Sequence, residues 1–295
     1  MKNLIIVTRT ASDGTREALR EAVRKHSTPA TGISEIHEIQ AGEDIVAVVE
    51  RRLRDAFDCV VAVGGDGTVA AVAHVLVGSD IPLGIVPAGT GNMVARELDI
   101  PLDVNAAIEL IAGQHRLRKI DAMMITGHTY LLNAGVGINA EVIDRTSRVG
   151  KNLFGRSAYI GTAIWEVIRA KAQRLEITID GDTATYKATD VLISNCGMLA
   201  RGLHPNSVAI HADDGQVHVC ITCTKSPLAY PWHYIRKSLF PRRANRIIHE
   251  RVASQSVTVR SRVPLSVQAD GDIIGTTPIQ VDVHPQAISV IVPCD

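Results

Sequence analysis

The sequence has no excess of charge of either sign, because 31 Lys and Arg residues balance 31 Asp and Glu residues. This balance removes the bulk electrostatic argument for a nucleic-acid partner, and we expect none. Long apolar runs are also absent, and no stretch approaches the ~20 residues that span a bilayer as a helix. The opening MKNLIIVTRT lacks the long apolar core and cleavage site of a signal peptide. These absences predict a cytoplasmic protein.

Cysteine is scarce and odd in number, with five residues in all, which argues against a disulfide framework. Cys220 and Cys223 have CxxC spacing, but the surrounding QVHVCITCT is typical of a strand. Positions three apart on a strand point to opposite faces. A zinc or redox role for this pair is therefore disfavoured.

The most informative stretch is CVVAVGGDGTVAAVAHVLV, residues 59–77. Its β-branched start predicts a buried parallel strand, and its alanine-rich end predicts a helix. The glycines between them allow a sharp turn and a close approach of the backbone to a ligand. N–H groups at a helix start favour an anion such as phosphate. Asp66 adds a carboxylate there, suited either to a cation or to a hydroxyl that loses its proton, or simply to a helix cap.

A second glycine-rich junction follows closely, where the strand-like run 83–86 ends in PAGTGN, residues 87–92. Two such junctions on adjacent parallel strands face one crevice at the carboxyl ends of the strands, where nucleotides bind in open α/β sheets. We expect Thr90 and Asn92 to donate to phosphate oxygens. Asp44 and Asp103 are predicted to cap the helices that follow them.

The pattern changes near residue 117, after which strand-like segments follow one another. The strands predicted are 117–126, 130–135, 175–179, 188–196, 216–224, 257–259, 265–269, 279–283 and 287–292. The fold class predicted is α/β followed by β: an N-terminal Rossmann-like α/β nucleotide-binding domain and a C-terminal antiparallel β-sandwich. We place the first domain at residues 1–122 and the second at 123–285. Asp180-Gly181 and Asp270-Gly271 are typical of hairpin turns.

Five segments occur in an order that resembles the diacylglycerol kinase-like lipid kinases, which include bacterial YegS-type, sphingosine and ceramide kinases. They are VVAVGGDGTV, PLGIVPAGTGNMVAREL, LLNAGVGINAEVI, DDGQVHV and QADGDIIGTTP. GGDGT alone is shared with NAD kinases, whereas its combination with PAGTGN and a late DG motif is far more specific.

The resemblance implies an ATP-binding first domain, a β-sandwich that supplies the lipid pocket, and a last strand, about 286–295, that returns to the first domain. It implies Mg²⁺ as a cofactor, and Asp66, Asp270 and Asp272 as the candidate catalytic carboxylates. It also implies a bound magnesium at a loop matching His211, Asp214 and Gln216. The residues predicted to hold ATP at the two glycine junctions are Gly64, Gly65, Asp66, Gly67, Thr68, Val69, Ala70, Ala71, Gly89, Thr90, Gly91 and Asn92. Thr8 and Arg9 are predicted to add contacts from the loop after the first strand, where the chain departs from the family.

Two positions depart from the family's pattern. An Asn-Pro loop usually follows the first strand, whereas this chain has TRTASDG at residues 8–14. The family usually has Glu where this chain has Asp272. Which of Asp66, Asp270 and Asp272 is the base stays open.

Residues 225–251 mix aromatic side chains with arginine and lysine, in a chain that has only three Phe and two Trp. Such a segment suits an interface with anionic lipid, so we expect peripheral membrane contact there, against the alternative of a packed helix with a basic face. The partners expected are ATP and a lipid alcohol, and a homodimer is left open. The alternatives to a lipid kinase are an NAD kinase-like or other non-lipid small-molecule kinase, and a regulator that binds lipid or nucleotide without catalysis.

Overall fold

A computed structural model describes residues 2–26, 34–137, 172–197, 210–223 and 248–294. The first part alternates strands and helices: β1 (Asn3–Val7), α1 (Asp13–His26), β2 (Ser34–Glu38), α2 (Ile45–Arg52), β3 (Cys59–Gly64), α3 (Asp66–Leu76), β4 (Leu83–Pro87), α4 (Met93–Glu97) and α5 (Val104–Ala112). The remaining described elements are strands: β5 (Arg116–Ile125), β6 (His128–Tyr130), β7 (Asn133–Gly137), β8 (Gln173–Ile179), β9 (Asp182–Ala188), β10 (Asp190–Ser194), β11 (Val217–Thr222), β12 (Ile248–Ala253), β13 (Ser256–Ser261), β14 (Ser266–Ala269), β15 (Asp272–Thr276) and β16 (Ile279–Val292).

The first part is a parallel sheet in the order β2-β1-β3-β4, covered by helices on both faces. Every residue of β3 is buried, as its apolar sequence predicts. Asp44 and Asp103 cap α2 and α5, since each carboxylate accepts a backbone N–H bond of 3.0 Å. The strand order reverses between β1 and β3, so the crevice at their carboxyl ends is the expected ligand position of an open α/β sheet.

The second part is an antiparallel sandwich. One layer runs β12-β11-β10-β7-β14-β15, and the facing layer contains β16, β13, β8 and β9. Apolar side chains from both layers, including Val136, Val219, Val257 and Val281, form its buried core. The predicted fold class is therefore confirmed.

Two strands belong to both parts of the molecule. β16 pairs with β13 at its start and runs parallel to β4 at Val290, and β5 pairs with it over most of that length. A register shift between His284 and Ile288 marks the change. The sequence pattern predicts two strands, at 279–283 and 287–292, whereas the structure has one continuous strand, β16. The predicted division at residues 122 and 285 stays a prediction, with β5 and β16 crossing those positions.

Among the described residues, no helix combines the length and apolar character that a membrane crossing requires. The predicted membrane-contact segment 225–251 lies outside the described residues apart from its last four positions, 248–251.

Candidate active site

The two glycine loops touch each other backbone to backbone. The Ala88 N–H donates to the Gly64 carbonyl at 2.8 Å, next to where β3 and β4 end. A Cβ atom added to Gly89 would lie 2.5 Å from the Cα of Gly65. Only glycine allows this approach, so the loops that follow β3 and β4 form one surface at the sheet edge.

Asp66 joins the two loops. Its Oδ1 accepts the Val94 N–H at 3.0 Å, so the carboxylate lies at the start of α4 rather than capping its own helix. Gly65 precedes α3, and no side chain caps that helix. The first turn of α3 therefore keeps N–H groups that suit an anion, as the sequence predicts.

Asn92 shapes the second loop from within. Its Oδ1 accepts the Gly89 N–H and its Nδ2 donates to the Gly89 carbonyl, both at 2.9 Å. Its backbone is left-handed, with φ of 50°. The side chain thus holds the loop in shape, in addition to the phosphate contact expected of it. Thr90, at the tip, is exposed.

The loop after β1 lies at the same sheet edge. The Thr8 N–H donates to the Val63 carbonyl at 2.9 Å, which places Thr8 beside the end of β3. Arg9 is exposed, and its carbonyl accepts from the Arg16 guanidinium at 2.9 Å. The structure therefore brings three of the predicted nucleotide loops to one edge.

Asp270 lies in the two-residue turn between β14 and β15, with φ of 46° followed by 96° at Gly271. The hairpin turn predicted for these residues is present. The Asp270 carboxylate accepts three consecutive backbone N–H groups, from Leu131, Leu132 and Asn133, at 2.8–3.0 Å. Burial removes solvation from Asp270 and raises the pKa of its carboxyl to about 6. The three N–H donors lower this pKa, and the negative charge of Asp66 raises it further.

Asp272 differs from Asp270 in its surroundings. It is the first residue of β15 and is exposed. No described residue forms a hydrogen bond or ion pair with its carboxylate. Of the two carboxylates in this turn, Asp272 is the one left available to a substrate.

Residues absent from the sequence prediction connect the two sides of the site. Glu97, at the end of α4, accepts the Gly197 N–H at 3.1 Å, just after β10. Burial raises the pKa of the Cys196 thiol well above its usual range, and the charges of Glu97, Asp270 and Asp66 raise it further. The charges of three carboxylates, on α4, on the β14–β15 turn and at the start of α3, therefore act on one buried thiol. Only the GGDGT and DG motifs gave a sequence signal for two of them, Asp66 and Asp270.

The loop predicted to bind magnesium forms a turn around Asp214. Its carboxylate accepts the N–H groups of His211, at 3.3 Å, and Gln216, at 3.0 Å. Within the described ranges, no three His, Cys, Asp or Glu side chains are grouped so that they could hold a metal ion. This arrangement does not fit a metal held by side chains, so magnesium binding at this loop stays a prediction.

Comparisons with known proteins match both parts of the chain. The family model for the diacylglycerol kinase catalytic domain matches residues 2–125. The model for the YegS C-terminal NAD kinase beta sandwich-like domain matches residues 133–292.

The individual relatives and solved structures share 30% or less of their sequence with this chain. An uncharacterised protein of Synechocystis is 30% identical over 80% of this chain, which spans only 55% of that protein's length. A Staphylococcus haemolyticus protein named "Putative lipid kinase" is 25% identical over 93% of this chain and 90% of its own. A Bacillus anthracis crystal structure, titled as a "putative diacylglycerol kinase", shares the fold with a TM-score of 0.76, 24% identity and coverage of 99% and 96% of the two chains. With both domain models matched in order along its length, the chain belongs to the diacylglycerol kinase catalytic-domain family of the YegS-like type.

Proposed function

We propose that the protein is an ATP-dependent lipid kinase that transfers the γ-phosphate of ATP to the hydroxyl of a diacylglycerol-like lipid, with Mg²⁺. The observation that carries the proposal is the contact between two glycine loops at the carboxyl ends of β3 and β4, with Asp66 bridging them. Asp270, in the β14–β15 turn, acts electrostatically on the same buried thiol, Cys196, as Asp66 does. The names of the relatives supply the lipid class of the acceptor.

Phosphoryl transfer depends mainly on positioning and on neutralising charge. The uncapped start of α3 would hold phosphate oxygens through its N–H groups. Asp66 fits a cation carried with ATP, because its Oδ1 is engaged by Val94 whereas its Oδ2 has no hydrogen-bond partner among the described residues. A bound Mg²⁺ would neutralise charge between phosphate oxygens.

Asp272 is the best candidate for the general base. Asp270 is engaged by three N–H donors, and Asp66 is needed at the nucleotide loops. Asp272 is exposed and free of described partners, so it can accept the proton of the attacking hydroxyl. Contact with a membrane through 225–251 belongs to this proposal, because a lipid acceptor has to be drawn from a bilayer.

A phosphorylation screen tests the proposal. Labelled ATP and Mg²⁺ are supplied with diacylglycerol, monoacylglycerol, sphingoid and polyprenol acceptors in mixed micelles, and separately with NAD. Asp66→Asn keeps an oxygen for the Val94 N–H and removes the charge, so we expect transfer to fall roughly 100-fold or more. Asp103→Asn is the matched control, because Asp103 also accepts a backbone N–H bond of 3.0 Å at a helix start, but at that of α5.

Each outcome assigns the protein to a class. Lipid labelling that is lost in Asp66→Asn and kept in Asp103→Asn supports the kinase. Labelled NAD would replace the lipid acceptor with a nucleotide, an outcome made relevant by the NAD kinase-like sandwich. ATP binding without transfer to any acceptor would indicate a regulator on the same fold.

A further inference from the structure

Tyr130 is a half-buried tyrosine that the mechanism above does not use. It is the last residue of β6, where it pairs with Met123, and its ring packs against the sandwich core. Its hydroxyl has no hydrogen-bond partner among the described residues. Buried or half-buried tyrosine hydroxyls usually have a partner, so this one is available to a ligand.

The backbone fixes Tyr130 beside the Asp270 turn. The three residues that follow it, Leu131, Leu132 and Asn133, are those whose N–H groups hold the Asp270 carboxylate. The Leu131 carbonyl also accepts from the Asn195 side chain at 3.0 Å. Tyr130 therefore directly precedes a segment, residues 131–133, that is hydrogen-bonded to both Asp270 and Asn195. These bonds limit the movement of the Tyr130 backbone.

The surroundings of the phenol are acidic. Burial raises the pKa of Tyr130, and the charges of Asp270 and then Asp272 raise it further. The hydroxyl thus stays protonated and acts as a donor near the carboxylate that we assign as the base. A lipid acceptor whose attacking hydroxyl contacts Asp272 would bring its neighbouring oxygen atoms close to the Tyr130 hydroxyl.

We propose that the Tyr130 hydroxyl is a substrate-binding group that donates a hydrogen bond to an oxygen of the lipid acceptor next to Asp272. This inference rests on the proposed function. It assigns Tyr130 to the acceptor and not to the nucleotide, whose loops lie at the ends of β1, β3 and β4.

The test compares Tyr130→Phe with Tyr186→Phe. Tyr186 is also a half-buried tyrosine packed on the sandwich core, but it lies on β9 beside His249. Both changes remove one hydroxyl and keep the ring. Steady-state rates are measured against the lipid acceptor that the screen labels most strongly, and against ATP.

For Tyr130→Phe we expect the KM for the acceptor to rise about tenfold, the size of one hydrogen bond, with the KM for ATP unchanged. Tyr186→Phe should keep both values. The inference is overturned if Tyr130→Phe keeps the wild-type acceptor KM, or if both KM values change together. If the wild-type protein phosphorylates no lipid, the proposed function itself fails. If it phosphorylates lipid and Tyr130→Phe keeps the acceptor KM, only the inference fails, so the two failures are distinguishable.

Discussion

At the scale of single residues, the same Asp-Gly turn occurs twice in the chain. Asp180-Gly181 and Asp270-Gly271 both form left-handed two-residue turns between antiparallel strands. Each aspartate accepts three consecutive backbone N–H groups, from residues 254–256 and 131–133 respectively. The two pKa shifts nevertheless have opposite signs.

The opposite signs have a physical cause. Loss of solvation is the largest single effect on the pKa of Asp180, but this side chain is exposed, and its three N–H donors together outweigh that effect and lower the pKa. Asp270 loses much more solvation and faces the charge of Asp66, which together raise its pKa to about 6. The same set of hydrogen bonds therefore accompanies a lowered pKa at Asp180 and a raised pKa at Asp270.

This contrast predicts opposite pH dependences of stability. Asp180 contributes stability above its unfolded pKa that is lost as the pH falls through its lowered folded value. Asp270 binds its proton more tightly when folded, so its contribution falls as the pH rises from 3.8 to about 6. We expect Asp180→Asn to lower the free energy of unfolding by about 1 kcal/mol at pH 7 and by less at low pH. The loss caused by Asp270→Asn should instead be larger at pH 4 than at pH 7.

Urea unfolding of both variants and the wild type between roughly pH 2 and 7.5 measures these slopes, because this range extends below the ordinary aspartate pKa of 3.8 and above the value of about 6 at Asp270. Parallel pH dependences of the two variants would contradict the assignment of Asp270 as the titrating group.

The residue after each turn supplies a second matched pair, Asp272 and Asp182. Asp272→Asn should lower kcat roughly 100-fold or more, because it removes the proposed base without touching the hydrogen bonds of Asp270. Asp272→Glu keeps a carboxylate and should keep most of the rate. Asp182→Asn, at the equivalent position of the other hairpin, should leave kcat unchanged. A normal kcat for Asp272→Asn would move the base to another group.

At the scale of elements, the site depends on a contact between two loops and not on either loop alone. The Gly65–Gly89 approach and the Asp66–Val94 hydrogen bond fix the start of α3 against the start of α4. Asn92 closes the second loop on Gly89. A change at the contact should therefore alter both helix starts together.

Gly89→Ala tests this contact. The added Cβ would lie 2.5 Å from the Cα of Gly65 and 3.0 Å from Asn92 Oδ1, so the loops have to separate. We expect the free energy of unfolding to fall by about 1–3 kcal/mol and the affinity for ATP to fall with it. Gly67→Ala is the control for folding, because its Cβ meets nothing within 4 Å and alanine favours a helix. Thermal unfolding and ATP titration of both variants supply the measurement, and equal stabilities would show that the loops are not in tight contact.

The elements also show where sequence patterns succeed. The buried strand β3, the capped helices α2 and α5 and the two Asp-Gly turns follow from local chemistry, and all are present. The pattern missed β9, β12 and β15, which are largely exposed and alternate poorly. It also merged β6 and β7, because Leu131 and Leu132 continue the apolar run although the chain passes there from one layer to the other.

The site was predictable in its residues and not in their contacts. The glycine-rich and Asp-Gly motifs of the sequence marked Gly65, Gly89, Asp66 and Asp270 as site candidates. The partners of Asp270 are backbone N–H groups, which every residue except proline carries, so no side chain marks residues 131–133. Glu97 has no motif of its own, and only the packing of α4 brings it to Gly197.

At the scale of the whole molecule, β16 couples the two cores. Val281 lies in the sandwich core and Val290 in the core of the parallel sheet, and both are 0% exposed. The sequence suggested the return of the last strand only through the family resemblance, since His284-Pro285-Gln286 interrupts the strand pattern. A strand that is part of two cores resists separate unfolding, because melting either core removes ladder partners from the other.

We therefore predict one cooperative unfolding transition for the whole chain. Val281→Ala and Val290→Ala are matched changes on one strand, and each should lower the free energy of unfolding by about 2 kcal/mol. Both variants should shift the entire transition and keep the calorimetric and van't Hoff enthalpies equal. Two resolved transitions, with Val281→Ala moving one and Val290→Ala the other, would mean that the cores unfold independently and that β16 is only a tether. A single transition that shifts as a whole in both variants would mean that β16 makes the two cores unfold together.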